Sequence, residues 1–217
     1  MRTLLAVIAT LALAQAGPAQ RAVSFPTEDG ARIAALIYGT SYNAVLLVHG
    51  GRFTKESWAP QVPAFRSAGF EVMAIDLRAA DPSDAQLAQD VLAAVHYLHF
   101  HGARTVSIVG GSMGGTAAGD ASISSRPREI DRIVMLGAAP SLPADKLKSP
   151  ALFIVAKDDA SADGPRLPRI RAQYDKAPQP KKLVVLEGSA HAQFLFQTEQ
   201  SERVMKEIID WLTTRPR

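Results

Sequence analysis

Cysteine is missing from all 217 residues. Its absence removes disulfide scaffolds, thiol redox chemistry, cysteine nucleophiles and cysteine-ligated zinc together, so an exported protein of this composition must be held by its core. There is no block of one charge sign either. The 24 Lys and Arg and 21 Asp and Glu are spread along the chain, which gives only a weak pull toward anionic surfaces and no call for nucleic acid. No apolar run reaches the about 20 residues that a helix needs to cross a ~30 Å hydrocarbon core, which argues against a stable membrane anchor. Internal repeats, low-complexity segments and linkers are absent as well. What remains, 47% apolar and 21% charged residues, is the composition of a globular protein rather than a disordered, collagen-like or coiled-coil one. The length suits one domain with a substantial core.

The first residues, MRTLLAVIATLALAQAGPAQ, stand apart. Arg2 precedes an apolar stretch from about Leu4 to Leu13, followed by Ala14-Gln15-Ala16. This is the charged, apolar and small-residue sequence of a secretory signal peptide, with cleavage expected after Ala16. A lipid-anchored form would need a cysteine after that site. The expectation is therefore a signal peptide at 1–16, a mature domain at 17–217 and a periplasmic or secreted location.

The rest alternates strand and helix. AVSFPTED and GARIAALIYG read as two strands joined at Asp29-Gly30, a dipeptide of tight hairpin turns. NAVLLVHG is an unbroken apolar run stopped by glycine, as in a strand buried on both faces. A helix from about Trp58 to Ser67 should follow, with Ser57 as N-cap and Pro60 in its first turn. FEVMAIDL is the next strand. From Ser83 to His101 the residues Leu87, Val91, Val95 and Leu98 keep one helical face. TVSIVGG, a helix from Met113 to about Ser124, IDRIVMLGA, ALFIVA, a helix from about Pro165 to Lys176, KKLVVLEG and an amphipathic helix from about Phe194 to Thr213 complete the chain. Strands with helical crossovers imply an α/β fold with a mostly parallel sheet covered on both faces, and the antiparallel start fits one edge of it.

Three loops after strands carry chemistry. Gly110-Gly111-Ser112-Met113-Gly114-Gly115 lies between a strand and a helix. A G-x-S-x-G at such a junction puts the serine on a strained turn that only flanking glycines allow, with its hydroxyl exposed above the sheet. The helix beginning there offers its N-terminal dipole and the Met113 amide to an oxyanion. Nucleotide-binding alternatives fit poorly. A dinucleotide fingerprint would put Ser112 where a glycine must admit pyrophosphate, and a phosphate loop would need Lys where Thr116 stands. The second loop, His49-Gly50-Gly51-Arg52, closes an inner strand ahead of the serine and can supply a second backbone donor from Gly51 or Arg52. A turn that simply needs flexible residues would look the same. His49 reads as a residue that orients the loop rather than as a base.

A serine hydroxyl needs an imidazole to take its proton, and the imidazole needs a carboxylate to fix its tautomer. Of the five histidines, His191 follows the last strand in a small-residue loop, from which it can reach back over the sheet. His96, His99 and His101 sit on or after the helix from Ser83, away from that edge. No adjacent carboxylate or cysteine completes a metal site there, so no metal is expected. The acid should follow ALFIVA, where Asp158 and Asp159 stand together and either could instead be a turn former.

Taken together, the hairpin start, the strand–helix order, HGGR, GGSMGG, KDD and GSAH resemble the α/β-hydrolase fold over nearly the whole mature chain. The resemblance implies a catalytic order of Ser, Asp or Glu, then His, which Ser112, Asp159 and His191 match. In the family's pattern the acid follows the strand as G-x-x-D. Here Ala156 takes the glycine's place, which puts the acid at Asp159 and leaves Asp158 as a turn residue. The sequence departs from the family in two further places. Only about a dozen residues, AAPSLPADKLKS, fill the gap where lids are usually inserted, so the protein resembles small lidless bacterial esterases. DLRAADPSD stands where relatives carry D-x-R-G-x-G, so Asp76 reads as a structural residue at a strand end.

The expectation is an exported serine hydrolase that cleaves carboxylic esters or related acyl bonds through an acyl-enzyme. Ser112, Asp159 and His191 are its catalytic residues, Met113 and Gly51 its oxyanion donors, and His49, Gly50, Gly110 and Gly114 its supports. Its partner is a small acyl substrate, it needs no cofactor, and its oligomeric state is open. Two alternatives remain: a peptidase or thioesterase on the same machinery, and a catalytically silent binding protein on the same scaffold.

Overall fold

The apolar runs find their explanation in an eight-stranded sheet of order β1-β2-β4-β3-β5-β6-β7-β10. The computed structural model describes residues 20–79 and 81–214, so the signal segment expected at 1–16 lies outside the described residues. β1 (Gln20–Pro26) and β2 (Arg32–Tyr38) form an antiparallel edge hairpin, and β2 pairs antiparallel with β4 (Glu71–Ile75). From β4 onward the sheet is parallel through β3 (Asn43–Val48), β5 (Thr105–Gly111), β6 (Arg132–Leu136), β7 (Ala151–Ala156) and the far edge β10 (Lys181–Leu186). A two-residue hairpin, β8 (Ala160–Ser161) and β9 (Gly164–Pro165), sits apart from the sheet. The α/β-hydrolase architecture expected from the sequence is the one observed.

Each central strand feeds two cores. In β3, Ala44, Leu46 and Val48 pack on one side and Val45 and Leu47 on the other, and β7 divides in the same way. Side chains alternate across a strand, so burial on both faces demands an unbroken apolar run. The first core holds α2 (Asp84–Phe100), α3 (Met113–Ser124) and α4 (Arg166–Lys176). The second holds α1 (Val62–Ser67) and α5 (Ser201–Thr213). Leu87, Val91, Val95 and Leu98 of α2 are all buried, and Ser83 caps this helix through a reciprocal pair with Gln86. Among the described residues no helix is long and apolar enough to cross a membrane.

Three expectations are corrected. The helix read as Trp58 to Ser67 is two pieces, a 3-10 turn at Lys55–Trp58 and then α1, and Ser57 does not cap it. The Ser57 hydroxyl donates to the Thr54 carbonyl, and Pro63 rather than Pro60 occupies the first turn. The last helix is also split, into a 3-10 segment at Ala192–Gln197 and α5. The hairpin turn is wider than a two-residue one: the Thr27 amide donates to the Ala31 carbonyl at 2.8 Å, with Gly30 at φ +86°. Asp29 in that turn accepts from Thr27 Oγ1 and is gripped by Arg78, which also chelates the buried Asp90 of α2. The guanidinium holds the Asp29 carboxyl well below the usual carboxylate range. This clip fastens the edge hairpin to α2 and gives Arg78 of the DLR segment a structural task.

Between β6 and β7 there is one 3-10 turn, Ala144–Lys146, and no inserted domain. The site at the strand ends is therefore uncovered on that side, as the short AAPSLPADKLKS segment implies.

Candidate active site

Ser112 stands between the end of β5 and the start of α3 at φ +51° and ψ −120°. A side-chain-bearing residue at positive φ costs on the order of 1–3 kcal/mol and persists only where its surroundings over-determine it. The Ser112 amide donates to the Leu136 carbonyl at 2.9 Å, and its carbonyl accepts from Gly115 and Thr116 at 2.9 and 3.0 Å. The flanking glycines are required by close approach. A Cβ on Gly110 would lie 2.3 Å from the Gly114 carbonyl oxygen, and one on Gly114 would lie 2.5 Å from both the Val48 and His49 oxygens. A side chain at Gly110 would pry the turn itself open, and one at Gly114 would force the β5–α3 turn away from the end of β3.

His191 Nε2 lies 2.8 Å from Ser112 Oγ, and its Nδ1 lies 2.7 Å from Asp159 Oδ2. The structure thus brings together the three residues that the sequence places 79 and 32 positions apart. Asp159 is buried and Asp158 is exposed. The two separate because the Asp158 amide donates to the Gly188 carbonyl while the Asp159 amide turns back to the Ala156 carbonyl, which points the Asp159 side chain inward. The His191 ring rests on Gly137, where a Cβ would come within 2.9 Å of Nδ1. Gly137 is at φ +61°. Its value as a seat for the imidazole could not be read from sequence, because the glycine follows β6, far earlier in the chain than His191.

His49 is buried and does not face Ser112. The Leu77 amide donates to its Nε2 at 3.1 Å, so Nε2 is unprotonated and Nδ1 carries the hydrogen that reaches the Gly50 carbonyl at 2.8 Å. The ring therefore fixes the direction of the Gly50 peptide, in keeping with an orienting role. The Phe53 amide closes the same turn onto the Gly50 carbonyl at 3.0 Å. Among the described residues the amides of Gly51 and Arg52 make no hydrogen bond within the chain, and Met113 opens α3 with no carbonyl a turn earlier to receive its N–H. These are the donors left for an oxyanion above Ser112, with Gly51 and Arg52 still alternatives for the second one. Asp76, at the end of β4, accepts from the Lys55 amide and ammonium at 2.8 and 2.6 Å, a structural task. That contact raises the Lys55 pKa above its ordinary value.

Two residues of the site carry no sequence signal. Gln193 is buried, accepts from the Gly50 amide at 2.8 Å and donates to Ser57 Oγ at 3.0 Å. It ties the loop that carries His191 to the HGGR loop, and Ala192 between them takes φ +51°. Arg166, first residue of α4, places its Nε 3.2 Å from Asp159 Oδ1, and its amide donates to the Asp159 carbonyl at 2.8 Å. The guanidinium contact is an ion pair whose alignment falls short of a hydrogen bond.

Two cavities meet at Ser112. One, of about 500 Å³, runs between α3, the segment after β6 and α4. The other, of about 450 Å³, is lined by Gly51, Phe53, His191 and Phe194. Elsewhere, His96 does meet a carboxylate, Glu129 at 2.9 Å, which sequence spacing hid because the two are 33 residues apart. Both nitrogens of His99 face backbone carbonyls. Among the described residues no group of three or more potential ligands is placed to hold a metal ion.

The chain is similar in structure to a dienelactone hydrolase from Anabaena variabilis, with a TM-score of 0.76 at 20% identity over 93% of this chain and 100% of that one. It is similar also to an esterase from Rhodococcus sp. (TM-score 0.72, 16% identity, 89% and 98% covered) and to a carboxylesterase from Bacillus subtilis (0.70, 15%, 90% and 92%). At such identities these likenesses speak for the fold. No curated protein sequence matches significantly. The family model for the alpha/beta hydrolase fold matches residues 43–174, more than half of the chain and the stretch that carries the HGGR and GGSMGG loops, and the protein therefore belongs to the α/β-hydrolase family.

Proposed function

We propose that the protein is an exported serine hydrolase that cleaves carboxylic esters or related acyl bonds through a covalent acyl-enzyme. The observation that carries this reading is the unbroken chain from Ser112 Oγ through His191 to the buried Asp159, at 2.8 and 2.7 Å. Asp159 accepts the Nδ1 proton, so Nε2 is free to accept from the serine. Ser112 Oγ then attacks the acyl carbon as its proton passes to Nε2, and the amides of Met113 and Gly51 hold the oxyanion. The tetrahedral species collapses as His191 returns that proton to the leaving oxygen, and the acyl group stays on Ser112. His191 next takes a proton from water as the water oxygen attacks the acyl carbon, and when the second tetrahedral species breaks its bond to Ser112 Oγ the imidazolium returns that proton to Oγ, which frees the acid and restores the enzyme. Export is supported by Arg2, the apolar run and Ala14-Gln15-Ala16.

The test is chemical. A fluorophosphonate should label the protein once, and Ser112→Ala should erase both labelling and ester turnover while the circular dichroism spectrum is kept. Full turnover in that variant would end the hydrolase reading.

A further inference from the structure

Resting on the reading of Ser112 as an acyl-transfer nucleophile, we propose that the substrate's acyl portion ends in a carboxylate, and that Arg169 and Lys176 of α4 bind it. The two cavities at Ser112 are not equivalent. His191 must hand a proton to the leaving oxygen, so the leaving group belongs in the cavity that His191 lines. That cavity also holds Phe53 and Phe194, whose rings lie 5.1 Å apart, beside Arg52 and Arg166, and suits an aromatic alcohol. The other cavity contains Ser112 and Met113 but not His191, and so receives the acyl chain.

Both cavities carry cations, and the acyl cavity carries more: Arg166 lines both, Arg52 only the leaving-group cavity, and Arg169 and Lys176 only the acyl cavity. Arg166, Arg169 and Lys176 line it, its remaining walls are uncharged, and no acidic residue faces it. At about 100° per residue, positions 166, 169, 173 and 176 of α4 fall within an arc of roughly 80°, whereas Arg171 lies about 140° from Arg166 and is not part of the wall. Arg166 is engaged with Asp159. Among the described residues Arg169 and Lys176 form no ion pair, and both are exposed at the rim. The small floor of Gly137, Ala138 and Ala139 leaves room for an unbranched chain that runs from Ser112 toward α4.

A guanidinium and an ammonium without anionic partners in the cavity that opens at the nucleophile favour a half-ester of a dicarboxylic acid over a neutral ester of equal length. Water supplies the new acyl oxygen, and the products are a dicarboxylate, an alcohol and one proton.

The experiment compares kcat/KM of the full chain on mono(4-nitrophenyl) adipate and on 4-nitrophenyl hexanoate, which have acyl chains of the same length. The adipate half-ester should be preferred by about tenfold at low ionic strength, because the pull of these exposed charges is only weakly screened there. Arg169→Gln with Lys176→Gln should cut the adipate-to-hexanoate ratio at least about fivefold, chiefly through KM, whereas Arg169→Lys with Lys176→Arg should keep it. A salt titration of the unmutated protein reads the same effect without any variant: the ratio should fall between about 10 and 500 mM NaCl. A ratio at or below one, or one that moves less than fivefold in the Gln pair, overturns the proposal. If hexanoate turnover requires Ser112 and only the preference is missing, the anion site alone fails. If Ser112→Ala hydrolyses both esters normally, the hydrolase reading fails and this proposal goes with it.

Discussion

Replacing Asp159 by Asn keeps the shape of the side chain and puts a donor on one side of it. In the structure Oδ2 meets His191 Nδ1 at 2.7 Å, and Oδ1 lies 3.2 Å from Arg166 Nε. An amide in this place must choose an orientation. Turning its NH2 toward the guanidinium would set donor against donor, whereas an amide oxygen rotated into line with Nε can accept a charge-assisted hydrogen bond of about 1.5–3 kcal/mol, so the oxygen goes to Arg166 and the NH2 faces His191. Nδ1 must then accept, the ring proton moves to Nε2, and Nε2 can no longer take a proton from Ser112. A bias of that size leaves roughly one molecule in ten to one in a hundred and fifty with the productive tautomer. The imidazolium also loses the carboxylate that stabilises it, so the total loss in kcat should be at least about 10²; the equivalent change in a serine protease costs about 10⁴. The fold should persist, since volume is conserved and Arg166, 25% exposed, keeps access to water. Asp158 is exposed and only its backbone amide is engaged, so Asp158→Asn should cost less than about tenfold. The assay is turnover of one short-chain 4-nitrophenyl ester by the two variants side by side, with unfolding curves for both. If Asp158→Asn is the more damaging, or if Asp159→Asn keeps more than a tenth of the activity, the assignment of Asp159 is refuted while the hydrolase reading survives.

Gln193→Ala should lower stability by about 2 kcal/mol in urea and cut kcat/KM roughly tenfold, because it strands the Gly50 amide that turns the oxyanion loop. An unchanged urea midpoint would show the clip to be idle. The mature N-terminus recovered from periplasm or medium should fall at or within a few residues of Gly17, and abundant protein that retains Met1 would count against the signal peptide. With no insertion between β6 and β7, short soluble acyl chains of about C2 to C6 should be accepted without interfacial activation. A rate that rises only above the micelle concentration of a long-chain ester would contradict that expectation.

The central strands were legible because burial on both faces leaves them no polar position, and β3, β5 and β7 begin and end within a residue or two of their apolar runs. α2 and α3 were legible for different reasons, one from its apolar face and its Ser83 cap, the other from the elbow that starts it. The two helices drawn too long fail for a common cause. Hydrophobic periodicity continues through a 3-10 turn; the break at Thr198–Gln200 contains residues that a helix tolerates, and Pro60 in the break at Ala59–Gln61 passes for a first-turn proline although the helix starts only at Val62. Those breaks are set by tertiary contacts: Gln193 donates to Ser57 in the first 3-10 turn, and Trp58 packs edge-on against Phe196 in the second. A single sequence window cannot register a bond between residues 136 apart.

The same distinction divides the site. Ser112 and its glycines announce themselves because a strained serine turn excludes every side chain that would collide with Val48 or His49, so the geometry is written into adjacent residues. Asp159 and His191 are readable only through order along the chain and the family pattern, since nothing local separates Asp159 from Asp158. What separates them is which carbonyl each amide finds, Ala156 or Gly188, and the second of these belongs to the strand-end loop that also leads to His191. Arg166 and Gln193 leave no local trace at all, because each acts on a partner from another segment, Arg166 on the acid and Gln193 on the oxyanion loop. The residues proposed to perform the chemistry are thus fixed by local strain and chain order. Residues that hold those groups in register are fixed by distance in space, and only the folded chain reveals them. The Asp159→Asn experiment joins the two kinds, since its expected magnitude depends on Arg166 choosing the orientation of the amide.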